Sequence, residues 1–327
     1  MVSITLRYDM RRAPGSAPHA ALYPAMIEQC RWADQQGFAT ISLSEHHATA
    51  DGYMPSPLVV GGAVAAATRQ IPITVAAVVA PLWDPIRLAE DLATLDNLAG
   101  RGRLIVTFVI GYRELEFELL GYEFGERGKR IDEVIGVLRQ AWLGEPFEYH
   151  GHEIVVHPVP ATPGGPTLVM GGSTPIAARR AARHGMGMIP SHFDPAIEAA
   201  YLEECEHCGK PPVFISRPIG PNFVHISNDP ERDWARIGPL ALHDATQFAS
   251  WQPGDYVSMT ESRATELDDL RNEGVYRILT PAETIAMLRE MPADAQGLIL
   301  HPLMGGIDPE WSWESLELLQ HEVLPHL

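Results

Sequence analysis

Cysteine is scarce in this chain. Cys30, Cys205 and Cys208 are the only three in 327 residues, too few for a disulfide framework. Positive charge is short as well, with 24 Lys and Arg against 42 Asp and Glu and a formal net charge of −18. That deficit argues against a nucleic-acid partner and against an anionic membrane surface. Long apolar runs are missing, since the longest, around residues 71–82, is short and broken by proline. The opening MVSITLRYDM places strand formers where a secretory leader needs a basic start and an apolar stretch. No internal repeat is visible, and no G-x-G-x-x-G follows the first strand, which weighs against a doubly wound dinucleotide fold. What is present is an ordinary globular balance, 46% apolar and 20% charged. A soluble cytoplasmic protein is the expectation.

The dominant pattern is a short β-rich run followed by a helical segment. Ser3–Tyr8 reads as a strand, and Leu22, Met26, Ile27, Cys30 and Ala33 recur at helical spacing before a stop at Gly37. Thr40–Leu43 leads into a His-rich loop and a helix after Pro57. Ile73–Val79 is continuously apolar, as a strand buried on both faces should be. Asp84-Pro85 opens a helix with Leu88, Leu92, Leu95 and Leu98 on one side, and 104–110 is a fourth strand. The helix over 127–143 carries Ile131, Val134, Ile135, Leu138, Ala141 and Trp142. A hairpin at 147–157 turns at His150-Gly151, and a strand at 167–170 runs into a helix opened by Ser173/Thr174-Pro175. A strand at 186–189, a helix at 195–208 and strand-like stretches in 213–227 follow. The rest is helical at first and irregular from Ser250 to Tyr256, then a helix at 281–291, a strand at 297–301 and a helix at 309–324. About eight β/α repeats of parallel type predict a single α/β domain, a (β/α)8 TIM barrel over residues 1–327, with insertions at about 147–166 and 245–276.

In a barrel the functional groups sit after the strands. Glu45, His46 and His47 follow the second strand, where imidazoles beside a carboxylate suit a general base, a hydrogen-bond donor or a metal ligand. No third ligand is evident nearby, so no metal is assigned; solvated loop histidines are the plain alternative. Gly171 and Gly172 let backbone approach a ligand, and Ser173/Thr174 open a helix whose free N–H groups favour an anion. The plain alternative there is an ordinary capped turn. Cys205 and Cys208 have zinc-like spacing without a second pair, and read as a helix end. Glu114, Glu116 and Glu118 read as a solvated acidic stripe.

Four blocks then carry a resemblance: GFATISLSEHH (37–47), VAAVVAPLWDPIRLAEDLATLDNLAGRGRL (75–104), ELLGYEFGERGKRIDEVIGVLRQAW (118–142) and MGGSTPIAARRAARHG (170–185). Together they resemble the luciferase-like flavin-dependent monooxygenases, (β/α)8 barrels that bind FMN or the deazaflavin F420. The resemblance implies that His46 lies beside the reactive edge of the flavin, steadying the oxygenated ring or moving a proton. It implies that Ala76–Ala77 is a non-proline cis bond against the ring, that Gly171, Gly172, Ser173 and Thr174 cradle the phosphate, and that Tyr112 and His192 face the flavin pocket. One departure stands out. Where the family commonly has an arginine for the phosphate after the fourth strand, this chain has Ile110-Gly111-Tyr112, with Arg113 as the available substitute. The implied activity is oxidation of a small organic substrate with reduced, diffusible FMN and O2, aided by a separate flavin reductase, in a homodimer. The alternatives are an F420-dependent dehydrogenase or reductase and a non-catalytic flavin-binding partner subunit. The 245–276 segment is expected to be either a lid or a surface insertion.

Overall fold

Local sequence sets most element boundaries. The computed structural model describes residues 2–192, 194–216, 221, 223–252, 258, 262–292 and 297–327. Strand β1 (Ser3–Tyr8) leads to α1 (His19–Gln36), which stops at Gly37 in the left-handed region. Next come β2 (Thr40–Leu43), α2 (Pro57–Ala67) and β3 (Ile73–Val79). Helix α3 (Pro85–Ala99) begins where Asp84 accepts from the Ile86 and Arg87 N–H groups, with proline at the first turn. It buries Leu88, Leu92 and Leu95, whereas Leu98, expected on the same side, is 55% exposed and Ala99 packs inward instead.

After β4 (Leu104–Val109) comes α4 (Glu114–Leu120), a helix where an acidic surface stripe was expected. Then follow α5 (Arg127–Ala141) and the hairpin β5 (Phe147–Tyr149) and β6 (His152–Ile154), turning at His150 and Gly151, both at positive φ. The stripe of α5 is buried as its spacing requires; each fully buried aliphatic contributes about 1.5–3 kcal/mol. The chain continues through β7 (Thr167–Gly172), α6 (Pro175–Arg183), β8 (Gly187–Pro190) and α7 (Pro195–His207), for which Cys208 is the C-cap. Strand β9 (Phe223–Ile226) precedes α8 (Pro230–Trp251), α9 (Leu267–Glu273), β10 (Tyr276–Leu279), α10 (Pro281–Glu290), β11 (Gly297–Leu300) and α11 (Pro309–Leu318).

Seven strands are hydrogen-bonded in the order β11-β1-β2-β3-β4-β7-β8, with parallel pairing wherever a register is defined. Among the described residues these seven strands of the expected ring are seen, and its closure with an eighth is not. Strands β9 and β10 pair in parallel with each other as a separate sheet. Past β8, among the described residues, Met188 bridges to Ile215 in parallel. Nearby Pro211, Pro212 and Pro221 have no N–H to donate to a ladder.

The chain contains two compact units, Met1–Ser42 with Ala48–Pro55 and Pro218–Leu327, and Leu43–His47 with Ser56–Arg217. The first has a core of Phe223, Trp234, Ile237, Leu270, Tyr276 and Ile278 among others. The second includes a cluster of Val79, Leu82 and Phe117, on which Trp83, Val109, Tyr122 and Phe124 pack. Of the expected insertions, 147–166 holds the β5–β6 hairpin, and 245–276 begins as the last two turns of α8 and ends with α9. Residues 253–257 and 259–261, on which the lid expectation chiefly falls, lie outside the described residues. No helix among the described residues is long and apolar enough to cross a membrane.

Candidate active site

The chain leaves β2 as Ser44-Glu45-His46-His47, with Glu45 2% and His46 9% exposed. Two buried carboxylates hold this loop. Glu116 on α4 is fully buried, and its Oε1 accepts from His46 Nδ1 (3.0 Å), the His47 N–H (2.9 Å) and Arg113 Nη1 (2.6 Å). Glu45 Oε2 accepts from the Val79 N–H (2.6 Å); its Oε1 accepts from Trp83 Nε1 (3.1 Å) and pairs with His47 Nε2 (3.2 Å). Tyr112 completes the group, its hydroxyl 3.1 Å from His46 Nε2 and its ring edge-on to the imidazole.

Burial opposes ionisation of Glu116. The His46 hydrogen bond and charge, the His47 N–H and Arg113 outweigh it and hold the carboxyl below the usual range. An ionised Glu116 can only accept, so the network assigns the proton on His46 to Nδ1. Nε2 is then the atom that gains or loses a proton, facing the Tyr112 hydroxyl. This is the arrangement of an imidazole oriented by a carboxylate for acid–base work. Burial likewise pulls His47 down, but the bond to Glu45 and its charge raise the ring above its ordinary value.

The local sequence builds α4 into place. Gly111 sits at φ +76°, and a Cβ there would lie 2.8 Å from Val79 Cγ1 and 3.0 Å from Phe117 Cε2. Phe117 is buried under the helix, so its neighbour Glu116 turns to the His loop while Glu114 and Glu118 stay exposed. The acidic stripe therefore contains the carboxylate that orients His46, a role that sequence reading missed. The only local signal was Arg113 three residues before Glu116, at ion-pair spacing on a helix. Arg113 itself also donates to the His47 carbonyl at 2.8 Å, a second tie between this residue and the His loop.

The other predicted residues lie along the C-terminal ends of β3, β4, β7 and β8. Ala76–Ala77 is a cis bond, and these two are the half-buried residues of an otherwise buried β3. At Gly171 the space a Cβ would take is filled by Val109 Cγ1 (2.8 Å) and Thr107 Cγ2 (3.1 Å), so strand packing by itself requires glycine there. Gly172 has φ +146° and faces Ala177. Thr174 caps α6 by accepting from the Ala177 N–H, and the Ser173 and Ser191 hydroxyls hydrogen-bond to each other. His192 follows β8, with Nδ1 3.5 Å from Ser191 Oγ. Ser191 was not anticipated. His301 is buried in the first unit, its Nε2 3.3 Å from Asp9 Oδ1. Among the described residues no group of three or more His, Cys, Asp or Glu is arranged to hold a metal.

Ligands of parallel α/β sheets gather outside the carboxyl ends of the strands, where these groups lie. The profile of the luciferase-like monooxygenases matches residues 7–291, and the chain belongs to this family. It is 32% identical over 149 residues to the oxygenase component of the flavin-dependent trigonelline monooxygenase of Acinetobacter baylyi, covering 45% of this chain and 41% of that protein. It is 33% identical over 129 residues to the FMNH2-dependent dimethylsulfone monooxygenase of Pseudomonas putida, 37% of this chain and 35% of the relative. These matches span well under half the length of either relative. Among solved structures, a monooxygenase from Streptomyces bottropensis superposes with a TM-score of 0.78 at 23% identity over 99% of both chains. The FMN-bound oxygenating constituent of 3,6-diketocamphane monooxygenase from Pseudomonas putida gives 0.69 at 17%, covering 99% of this chain and 98% of that one. At those identities the likeness concerns the fold.

Proposed function

We propose that the protein is the oxygenase component of a two-component flavin monooxygenase, taking reduced FMN from a separate reductase and using O2 to oxidise a small organic substrate. The observation that carries this reading is the His46–Glu116 pair at the strand ends, with Tyr112 on the far side of the imidazole. The donors fit a phosphate-bearing flavin. Ser173, Ser191 and the N-terminus of α6 would hold the phosphate, and the half-buried Ala76 and Ala77 leave a low surface for a planar ring. Two further polar atoms, Glu116 Oε2 and Thr107 Oγ1, are buried without a hydrogen-bond partner, as groups awaiting a ligand or water would be.

Bound reduced flavin supplies the electrons that activate oxygen. The protein's own work is proton handling and positioning. His46 Nε2 exchanges a proton with the reacting edge, while Glu116 keeps Nδ1 protonated and the ring fixed. Arg113 offsets the buried carboxylate, and the Tyr112 hydroxyl donates to Nε2 when the ring is neutral. With Ile110 at the usual arginine position and Arg113 committed to Glu116, no arginine from this loop grips the phosphate. That favours a diffusible cofactor over a permanently held one. The same reading takes the chain as one closed (β/α)8 domain, cytoplasmic and homodimeric.

Anaerobic titration with reduced FMN, oxidised FMN and reduced F420 tests this. Reduced FMN should bind in the micromolar range and more tightly than the oxidised form. Preference for F420, with no oxygen uptake in turnover, would transfer the protein to the dehydrogenase reading. No binding of any of them would end both.

A further inference from the structure

The reaction assigned to His46 leaves Glu45 without a stated task. Its own contacts are unusual in number. Three donors converge on two buried oxygens: the Val79 main chain at 2.6 Å, the Trp83 indole at 3.1 Å and His47 Nε2 at 3.2 Å. Each comes from a different piece of the site. Val79 ends β3, the strand whose Ala76 and Ala77 are half-buried; Trp83 lies just beyond it; and His47 adjoins His46.

We propose that Glu45 is a positioning residue that ties the C-terminal end of β3 and the Trp83 indole to the His46–His47 loop, setting the spacing between the surface that receives the flavin ring and the imidazole that handles its proton. This rests on the flavin reading above. The two carboxylates thereby divide the work. Glu116 orients His46 from behind, and Glu45 fixes what stands opposite it.

A carboxylate suits this place for a stated reason. It offers about four lone-pair sites on two oxygens and no donor, so it can satisfy all three partners at once. Glutamine at the same position has one accepting oxygen, and its amide N–H would face either the Val79 N–H or the Trp83–His47 side. Other contacts keep the surroundings in place when Glu45 is changed. Arg130 Nε donates to the Pro81 carbonyl at 2.8 Å and Nη2 to the Trp83 carbonyl at 3.2 Å, and the His47 main chain stays bound to Glu116 and Arg113. Loss of Glu45 should therefore release the indole and the strand end without unfolding the loop.

The test is Glu45→Gln, read first without flavin. In the nuclear magnetic resonance spectrum of the full chain, the Trp83 indole N–H should move and the His47 ring should titrate at lower pH than in the wild type. With reduced FMN, the dissociation constant and the KM for FMN should rise at least tenfold, while the pH profile of kcat keeps its shape. Trp83→Phe is the second variant: it removes one donor and should raise the FMN constant in the same direction by a smaller factor, whether or not Glu45→Gln folds. Unmoved Trp83 and His47 signals in Glu45→Gln would overturn the proposal. So would a reduced-FMN constant within twofold of wild type in both variants. A wild-type chain that binds no flavin overturns the cofactor reading; the indole and His47 signals then still decide whether Glu45 holds these groups together.

Discussion

The sharpest consequences fall on His46 and the carboxylate behind it. His46→Ala removes the atom that moves the proton, so kcat should fall at least about a hundredfold, the scale of a lost acid–base group. The affinity for reduced FMN should change little, because no assigned phosphate contact is touched. Glu116→Gln tests the orientation argument separately. An amide can accept through its oxygen or donate through its nitrogen, and it carries no charge to stabilise a protonated ring. It should lower kcat by about tenfold to a hundredfold, since the ring loses the carboxylate that fixes its orientation and Nδ1 proton. An unchanged kcat in Glu116→Gln would remove it from the site. At this scale half of the arrangement was legible. Glu45-His46-His47 stands out at a strand end, but nothing in the alternation of Glu114, Glu116 and Glu118 says which one turns inward. That depends on Phe117 finding Val79 and Leu82, contacts more than thirty residues away along the chain.

Elements bounded by local chemistry were readable, and those bounded by distant partners were not. Asp84-Pro85 and Thr174-Pro175 open α3 and α6 where expected, because a cap and a first-turn proline act within four residues. Strand β9 fell within a stretch read as strand-like, but its pairing with β10 was invisible, since the partners are about fifty residues apart along the chain. Its buried side carries a testable charge. His225 in β9 is 2% exposed, and burial holds its ring below the ordinary value of 6.5 even though Asp233 on α8, 3.6 Å away, pulls the other way. The folded pKa is thus lower than the unfolded one. Stability from this group is complete above about pH 6.5 and is lost as pH falls toward the folded value, because the unfolded chain takes up the proton first. Urea midpoints of wild type should therefore drop between pH 7.5 and 5.5, and His225→Gln should drop less over the same interval. Equal drops in both proteins would place the acid sensitivity elsewhere.

At the scale of the whole molecule, composition and periodicity were enough for a parallel α/β chain, since β-rich runs alternating with amphipathic helices leave few other solutions. They said nothing of the ionic knot inside the first unit. Arg11 is completely buried, with Nη1 bonded to the Asp244 carboxylate (2.9 Å) and carbonyl (2.8 Å) and Nε 2.8 Å from Asp51 Oδ2. Its guanidinium lies 4.3 Å from the ring centroid of Phe248 and 4.4 Å from that of Trp251. Asp244 also accepts from the Tyr276 hydroxyl at 2.6 Å. Arg11 and Asp244 together therefore join the segment after β1, the loop after the His pair, α8 and the start of β10. Sequence separations above two hundred residues hide such a contact from any local pattern. Arg11→Leu keeps the bulk but leaves Asp51 and Asp244 buried without their counter-charge, and breaking a buried pair in this way costs about 3–5 kcal/mol. Arg11→Lys restores the charge but loses the planar fork and its stacking on the two rings, so its loss should be intermediate. Urea unfolding of both variants at neutral pH measures these differences. A loss under about 1 kcal/mol in Arg11→Leu, at the level of an exposed ion pair, would mean that water enters the knot and screens its charges.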